Sequence, residues 1–305
     1  MLKEDIDRYI DLRRAAGFKF STRGRWLKSF GVFAAKHGDE FVSADRAVEW
    51  ATIAHSTAQR RNRLLTLRRF ALHMRVEDIR HEVPASDALG RDRSIRRPVP
   101  YIYTPDEIKQ LIGMAAGMGP PNSIRPLTMM TLFGLLAATG LRISEALALD
   151  IADLTDDGLI VQQTKFHKSR LVPLHDTARV ALEQYLSVRK KTGSFSTSFF
   201  VFATGRAPVY GTVAGIFRRL TRSVGLKGGS GREGPRIHDI RHTFVARSLE
   251  QCQHDSDAVA RHIVALSTYL GHTYVGNTYW YLEATPILMK QIAEAGETRY
   301  QAGVP

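Results

Sequence analysis

The chain has 305 residues, 44% of them hydrophobic. A single core usually stops growing near roughly 250–300 residues, so two globular domains are the expectation. Lys and Arg number 43 against 30 Asp and Glu, a net charge of +13, which points to a polyanionic partner more than to a merely soluble basic protein. The one cysteine, Cys252, excludes an internal disulfide and fits a reducing cytosol. Acids among the first apolar residues, MLKEDIDRYIDL, exclude a signal peptide or a membrane span there, so a cytoplasmic protein is expected.

Helical spacing runs through Ile6, Tyr9 and Ile10, and again through Trp26, Leu27, Phe30 and Phe33. Ser43 is a candidate N-cap for a third helix that buries Val48 and Trp50. A fourth helix, from about Ser56 to Arg75, buries Leu64, Leu67, Phe70, Ala71 and Met74. Its other positions carry Arg60, Arg61, Arg63, Arg68 and Arg69. Such a run reads either as a solvated face or as a surface laid along DNA. Residues 1–104 hold 21 basic and 13 acidic side chains, +8 of the total charge, and that concentration favours DNA contact. Prolines, a glycine and the cluster Arg91, Arg93, Arg96 and Arg97 mark the following segment as a basic linker. The domains are then 1–85, a helical DNA-binding unit, a linker over 86–103, and 104–305.

Thr104-Pro105-Asp106-Glu107 opens the second domain with a cap, a first-turn proline and a capping-box glutamate. A nearly all-apolar helix over about Pro126–Ala138 belongs in the core. Gly140 ends it, and Arg142 opens the next helix among Leu132, Phe133, Leu135, Leu136, Leu141 and Leu147. A guanidinium there is costly unless paired or bound to an anion, so either an ion pair with Glu145 or an anion site is implied. Gly158–Gln163 and Arg170–Leu174 read as a β-hairpin whose basic tip holds Lys165, His167 and Lys168. Helices follow over Thr177–Lys191, bearing Val180, Leu182, Tyr185 and Leu186, and over Tyr210–Val224, bearing Arg218, Arg219 and Arg222 as DNA contacts. Between them lies a short buried segment, Phe199–Phe202. The fold class is mainly α with a small β-hairpin or sheet, α+β.

The chemistry gathers between Gly234 and Glu283. His238 and Arg241 stand three apart at a helix start, so both can face one phosphate, while His242 points elsewhere as a packing residue. His272 follows in a Leu-Gly-His turn, and Tyr274, Tyr279 and Tyr281 come after it. No carboxylate pair or Cys/His cluster accompanies them, so the usual metal-dependent routes to phosphate chemistry lack ligands. Arginine forks match phosphate oxygens, and a tyrosine hydroxyl can serve as a covalent nucleophile.

A-T-G-L-R-x-S-E around Arg142, H-x-x-R at His238 and Arg241, and L-G-H followed nine residues later by Tyr281 resemble the tyrosine recombinase (phage integrase) family. The resemblance selects Tyr281 over Tyr279 as nucleophile, and Lys165, eight residues before Pro173, as the hairpin lysine, with Lys168 and His167 as rivals. It implies that Tyr281 attacks a DNA phosphodiester to give a 3′-phosphotyrosyl intermediate, without ATP, metal or other cofactor. Arg142 and Arg241 would neutralise the transition state, with a hydrogen bond from His272. Lys165 would protonate the leaving 5′-oxygen, and His238 would assist deprotonation of Tyr281.

The family's layout implies a clamp on double-stranded DNA, a tetramer assembled on paired sites, and a C-terminal helix, 286–295, that packs on a neighbouring protomer or on its own domain. Partner recombinases or accessory proteins would be compatible with it, and a bacterial cytoplasm is implied. With no arm-type domain ahead of residue 1, a simple core-site enzyme is the expectation. The alternatives are relaxation of DNA in the manner of a type IB topoisomerase, and a non-catalytic DNA-binding regulator of the same fold.

Overall fold

In the computed structural model, residues 2–90, 100–120, 122–162, 169–226, 234–251 and 256–271 are described. The chain divides into two compact units, Met1–Pro98 and Val99–Pro305.

The described residues of the first unit form four helices. α1 (Leu2–Ala15) buries Leu2, Ile6, Tyr9 and Ile10, and α2 (Ser21–Lys36) buries Leu27, Phe30 and Ala34. α3 (Ala44–Thr52) buries Ala47, Trp50 and Ala51, with Val48 only partly covered. α4 (Thr57–Glu77) buries the five side chains its periodicity predicts, Leu64, Leu67, Phe70, Ala71 and Met74. Phe30 meets the Trp50 ring edge-on at 5.5 Å, and Tyr9 meets Phe70 at 5.3 Å, so the aromatics lock α2 to α3 and α1 to α4. Each such ring contributes about 1.5–3 kcal/mol when fully buried. Ser56 caps α4, its hydroxyl accepting from the Gln59 N–H at 3.2 Å. Ser43 departs from expectation, for its side chain makes no cap bond. The Glu82 carboxylate instead accepts the Ala44 N–H at 2.7 Å, a cap supplied from 38 residues away.

The second unit is built around α6 (Ile124–Thr139), which follows α5 (Pro105–Ala116). Thr104 and Glu107 form the reciprocal capping box that the sequence predicts. α6 is apolar on most sides because most sides are covered: Met129, Leu132, Phe133, Leu135 and Leu136 are all buried. α7 (Ile143–Ala146) is a single turn starting just beyond Gly140.

Three antiparallel strands follow in the order β1 (Leu154–Thr155), β2 (Gly158–Val161) and β3 (Arg170–Val172). In β2 and β3, Leu159 pairs with Val172 and Val161 with Arg170, which gives the expected hairpin one further short strand. Its tip, 163–168, lies outside the described residues.

α8 (Asp176–Lys190) packs through Leu182 and Tyr185, while Val180 is on the outer face and half exposed. The Tyr185 hydroxyl accepts the Val201 N–H at 3.0 Å, tying α8 to the buried Phe199–Val201 segment. α9 (Tyr210–Ser223), α10 (His238–Glu250) and α11 (Ser256–Tyr269) follow among the described residues. Among the described residues the chain is thus mainly helical with one small antiparallel sheet. Among the described residues no helix is long and apolar enough to cross a membrane.

Candidate active site

Arg142 is delivered by a helix stop. α6 runs to Thr139, and Gly140 takes φ +61°, a left-handed turn that closes the helix as the Gly140 N–H donates to the Leu136 carbonyl. A side chain at Gly140 would also drive its Cβ into the Phe244 ring. The chain then re-enters helix two residues later with Arg142 as the cap residue of α7. Both sequence alternatives for Arg142 bear on what is found. Its Nη1 donates to Glu145 Oε1 at 2.7 Å, so the ion pair forms, while a third of the side chain stays exposed.

Glu145 has a second guanidinium on it. Arg170, at the start of β3, donates from Nη1 to Oε1 at 3.2 Å and from Nη2 to Oε2 at 2.8 Å. Burial raises the Glu145 pKa, but the hydrogen bonds from Arg170, the Arg142 backbone N–H and the Arg142 side chain outweigh it and hold the carboxyl down at about 2. Arg170 also donates from Nε to the Tyr269 carbonyl at 2.8 Å, so one side chain joins the hairpin, α7 and the end of α11. In the sequence Arg170 stands only at the edge of an apolar strand. The available signal was a charge leading a strand due for burial.

Arg241 lies in the first turn of α10 and is 2% exposed. Its Nη1 donates to the Gly140 carbonyl at 2.8 Å and its Nη2 to the Leu270 carbonyl at 2.9 Å. Arg142 Nη1 reaches that same Leu270 oxygen at 3.4 Å. The two arginines, 99 residues apart, therefore meet at one backbone carbonyl, two residues before His272.

His238 is solvent-accessible on one side and packs edge-on against His242, with ring centroids 4.7 Å apart. Partial desolvation, and then the charge of Arg241, lower its pKa from the ordinary histidine value. His242 is buried, as a packing residue should be, and burial with the neighbouring His238 and arginines lowers its pKa to about 3. Both rings are thus held neutral near pH 7. Beneath them Asp239, 2% exposed, accepts from the Arg236 backbone N–H at 2.8 Å and from its guanidinium at 3.1 Å, fixing the entry into α10.

The structure accordingly brings Arg142, His238 and Arg241 into one region, with Arg142 tied through Glu145 to Arg170. Lys165, Lys168, His272 and Tyr281 lie outside the described residues, as do Arg96, Arg97 and the 286–295 helix. Of the remaining arginines assigned to DNA, Arg61 and Arg69 on α4 and Arg218 and Arg219 on α9 are exposed. Arg60 and Arg68 donate to the Ala54 and Pro84 carbonyls, at 2.7 and 2.6 Å, and Arg63 lies over the Trp50 ring at 5.1 Å. That basic helix face is therefore partly structural. Among the described residues no group of His, Cys, Asp and Glu side chains is placed to hold a metal ion.

Residues 102–286 match the Phage integrase family. A putative integrase/recombinase, y4rB, from Sinorhizobium fredii is 34% identical over 311 residues, spanning 98% of each chain. Tyrosine recombinase XerD from Caulobacter vibrioides is 29% identical, spanning 95% of this chain and 93% of its own. Among solved structures, the Tn1549 transposon integrase in complex with transposon right end DNA has a TM-score of 0.66 at 18% identity, covering 92% of this chain and 94% of that one. A lambda integrase dimer bound to a COC′ core site has a TM-score of 0.61 at 19% identity, covering 92% and 76%. The structural likeness carries the fold, and the full-length sequence match carries the relationship. The chain belongs to the phage integrase family of tyrosine recombinases.

Proposed function

We propose that this protein is a site-specific DNA recombinase that cuts and rejoins one strand at a time through a 3′-phosphotyrosyl intermediate. The observation that carries the reading is the convergence of Arg142 and Arg241 on the Leu270 carbonyl, next to a neutral His238. Two preorganised guanidiniums suit a phosphoryl group whose charge grows in the transition state. Tyr281 attacks phosphorus, and the 5′-oxygen leaves with a proton supplied by Lys165. The neutral His238 imidazole can accept the tyrosine proton, and His272 adds a hydrogen bond to a phosphoryl oxygen. Attack by a 5′-hydroxyl on the phosphotyrosine restores the phosphodiester and frees Tyr281, so no external energy source enters the balance.

The 1–85 unit binds duplex DNA, 86–103 links it, and 104–305 performs catalysis. Exchange of two strand pairs needs four active sites, hence a tetramer on paired DNA sites, with or without a partner recombinase or accessory protein. The Tn1549 integrase likeness fits a mobile-element role in a bacterial cytoplasm, on the nucleoid when bound. The topoisomerase and regulator readings are not favoured by this family membership.

The deciding experiment traps covalent adducts on nicked duplexes drawn from DNA flanking the gene, comparing wild type, Tyr279→Phe and Tyr281→Phe. An adduct lost only in Tyr281→Phe is expected. Loss only in Tyr279→Phe moves the nucleophile, and specific binding without any adduct overturns the catalytic reading.

A further inference from the structure

Three arginines that no described carboxylate pairs with face one cavity of about 270 Å³ in the first unit. It is lined by Tyr9, Arg13, Phe20, Arg23, Thr66 and Arg69. Arg13 closes α1, Arg23 lies in the first turn of α2 and Arg69 is on α4, so three helices each contribute one positive charge. None of the three side chains makes an ion pair or hydrogen bond with a described residue, and no carboxylate lines the cavity. Their neighbours differ: Arg8 pairs with Asp5 and Glu77, and Arg14 with Asp11.

The cavity is also built rather than accidental. The Arg13 guanidinium stands 4.3 Å from the centroid of the Phe18 ring and 5.8 Å from that of Phe20, and its Nε is buried without an acceptor. Stacking on aromatic faces holds such a cation in place, and a buried donor left unsatisfied is costly unless something arrives to accept from it. Phe20 adopts φ 39° and ψ 26°, the left-handed region that a non-glycine residue rarely enters. From there its ring meets both Arg13 and, edge-on at 5.9 Å, Tyr9. Backbone strain beside a charged cavity is characteristic of places where a ligand is held.

We infer that this cavity is an anion site for a phosphate group, and that its physiological occupant is a backbone phosphate of the bound duplex. Arginine forks match phosphate oxygens in geometry, and the lack of any lining carboxylate disfavours a cation. The assignment of the phosphate to DNA rests on the recombinase reading. A free phosphate or pyrophosphate offers the same chemistry, so the test separates the two sources.

The test measures affinity of the full chain for a labelled random-sequence duplex across a salt series. Variants are Arg13→Ala/Arg23→Ala, Arg23→Ala/Arg69→Ala, and a charge-matched control, Arg14→Ala/Arg80→Ala, whose arginines are ion-paired in the structure. Both cavity variants are expected to lose about tenfold in affinity at low salt, and about one unit from the slope of log affinity against log salt, the share of one phosphate contact. The control is expected to keep its slope. Arg23 and Arg69 are exposed, so the second variant reads out the cavity even where loss of Arg13 disturbs packing.

Cavity variants that match the control overturn the site while leaving the recombinase reading intact. Calorimetry with inorganic pyrophosphate forms a second arm: saturable binding lost in the cavity variants, with unchanged DNA slopes, overturns DNA as the source. A wild type that binds no duplex at all sinks the recombinase reading and this inference together.

Discussion

Arg170 grips both carboxylate oxygens of Glu145, at 3.2 and 2.8 Å, while Arg142 takes one of the same oxygens from the other side. The carboxylate is 8% exposed, so its charge is little screened. Its pKa is near 2 in the fold against an ordinary 4.5, so the stabilisation is present above about pH 4.5 and is lost as pH falls towards 2. Glu145→Gln is expected to cost about 3 kcal/mol at pH 7, by the same linkage. Urea unfolding of both proteins at pH 7 and pH 3 checks it. A cost that does not shrink at the lower pH rules out the ion-pair account.

Arg170 itself is expected to act through its fork. Arg170→Ala should slow strand cleavage while DNA affinity holds, because the hairpin, α7 and the 269–271 turn lose their common tie. Arg170→Lys should not restore the rate, since a single ammonium cannot serve two carboxylate oxygens and the Tyr269 carbonyl in one plane. Single-turnover adduct formation beside equilibrium binding separates these effects. Rescue by lysine would show that charge alone suffices.

Conservative replacement of the converging arginines tests the proposed chemistry. Arg142→Lys and Arg241→Lys are each expected to reduce the rate of adduct formation by about 10²–10³, the scale of losing one preorganised donor to a developing oxyanion. Equal losses in rate and duplex affinity would reassign these residues to binding.

His242 supplies a second acid-side pH signature, one that begins at higher pH than that of Glu145. With its pKa near 3 in the fold and near 6.5 when unfolded, it favours the folded state above about pH 6.5, and that contribution falls as pH drops towards 3. His242→Phe should therefore show a smaller loss of thermal stability between pH 7 and pH 4 than wild type does. Parallel losses in the two proteins would assign the acid sensitivity elsewhere.

Gly140→Ala should be disproportionately harmful for one methyl group. It forces a side chain into a left-handed turn and against the Phe244 ring, and it moves the carbonyl on which Arg241 rests. A loss of about 2 kcal/mol or more is expected by chemical denaturation. Adding Phe244→Ala relieves the clash but not the φ strain, so only part of the loss should return.

Legibility from the chain followed locality. The Thr104 capping box, the helix stop at Gly140 and the inward face of α4 each depend on residues within a few positions, and all are readable in the order of the letters. Arg170 was not, because its acceptors are 25 and 99 residues away and a strand position says nothing of either. Ser43 looked like a cap, yet Glu82 fills that place from beyond α4. Val180 is apolar yet falls on the outer side of α8, since the strip through Leu182, Tyr185 and Arg189 is the one that packs inward. Arg60, Arg63 and Arg68 looked like a uniform charged face, whereas three local partners, two carbonyls and an indole, divide it.

The Leu270 carbonyl has a consequence for timing. Two cations brought together in a poorly solvated cleft repel unless something negative stands between them, and ordinarily the substrate would have to arrive before they could settle. Here a peptide oxygen stands between them, accepting from both Arg142 and Arg241. On the proposed recombinase reading, a phosphate of the duplex would find these two guanidiniums already in place, and little of its binding energy would go to forcing like charges together.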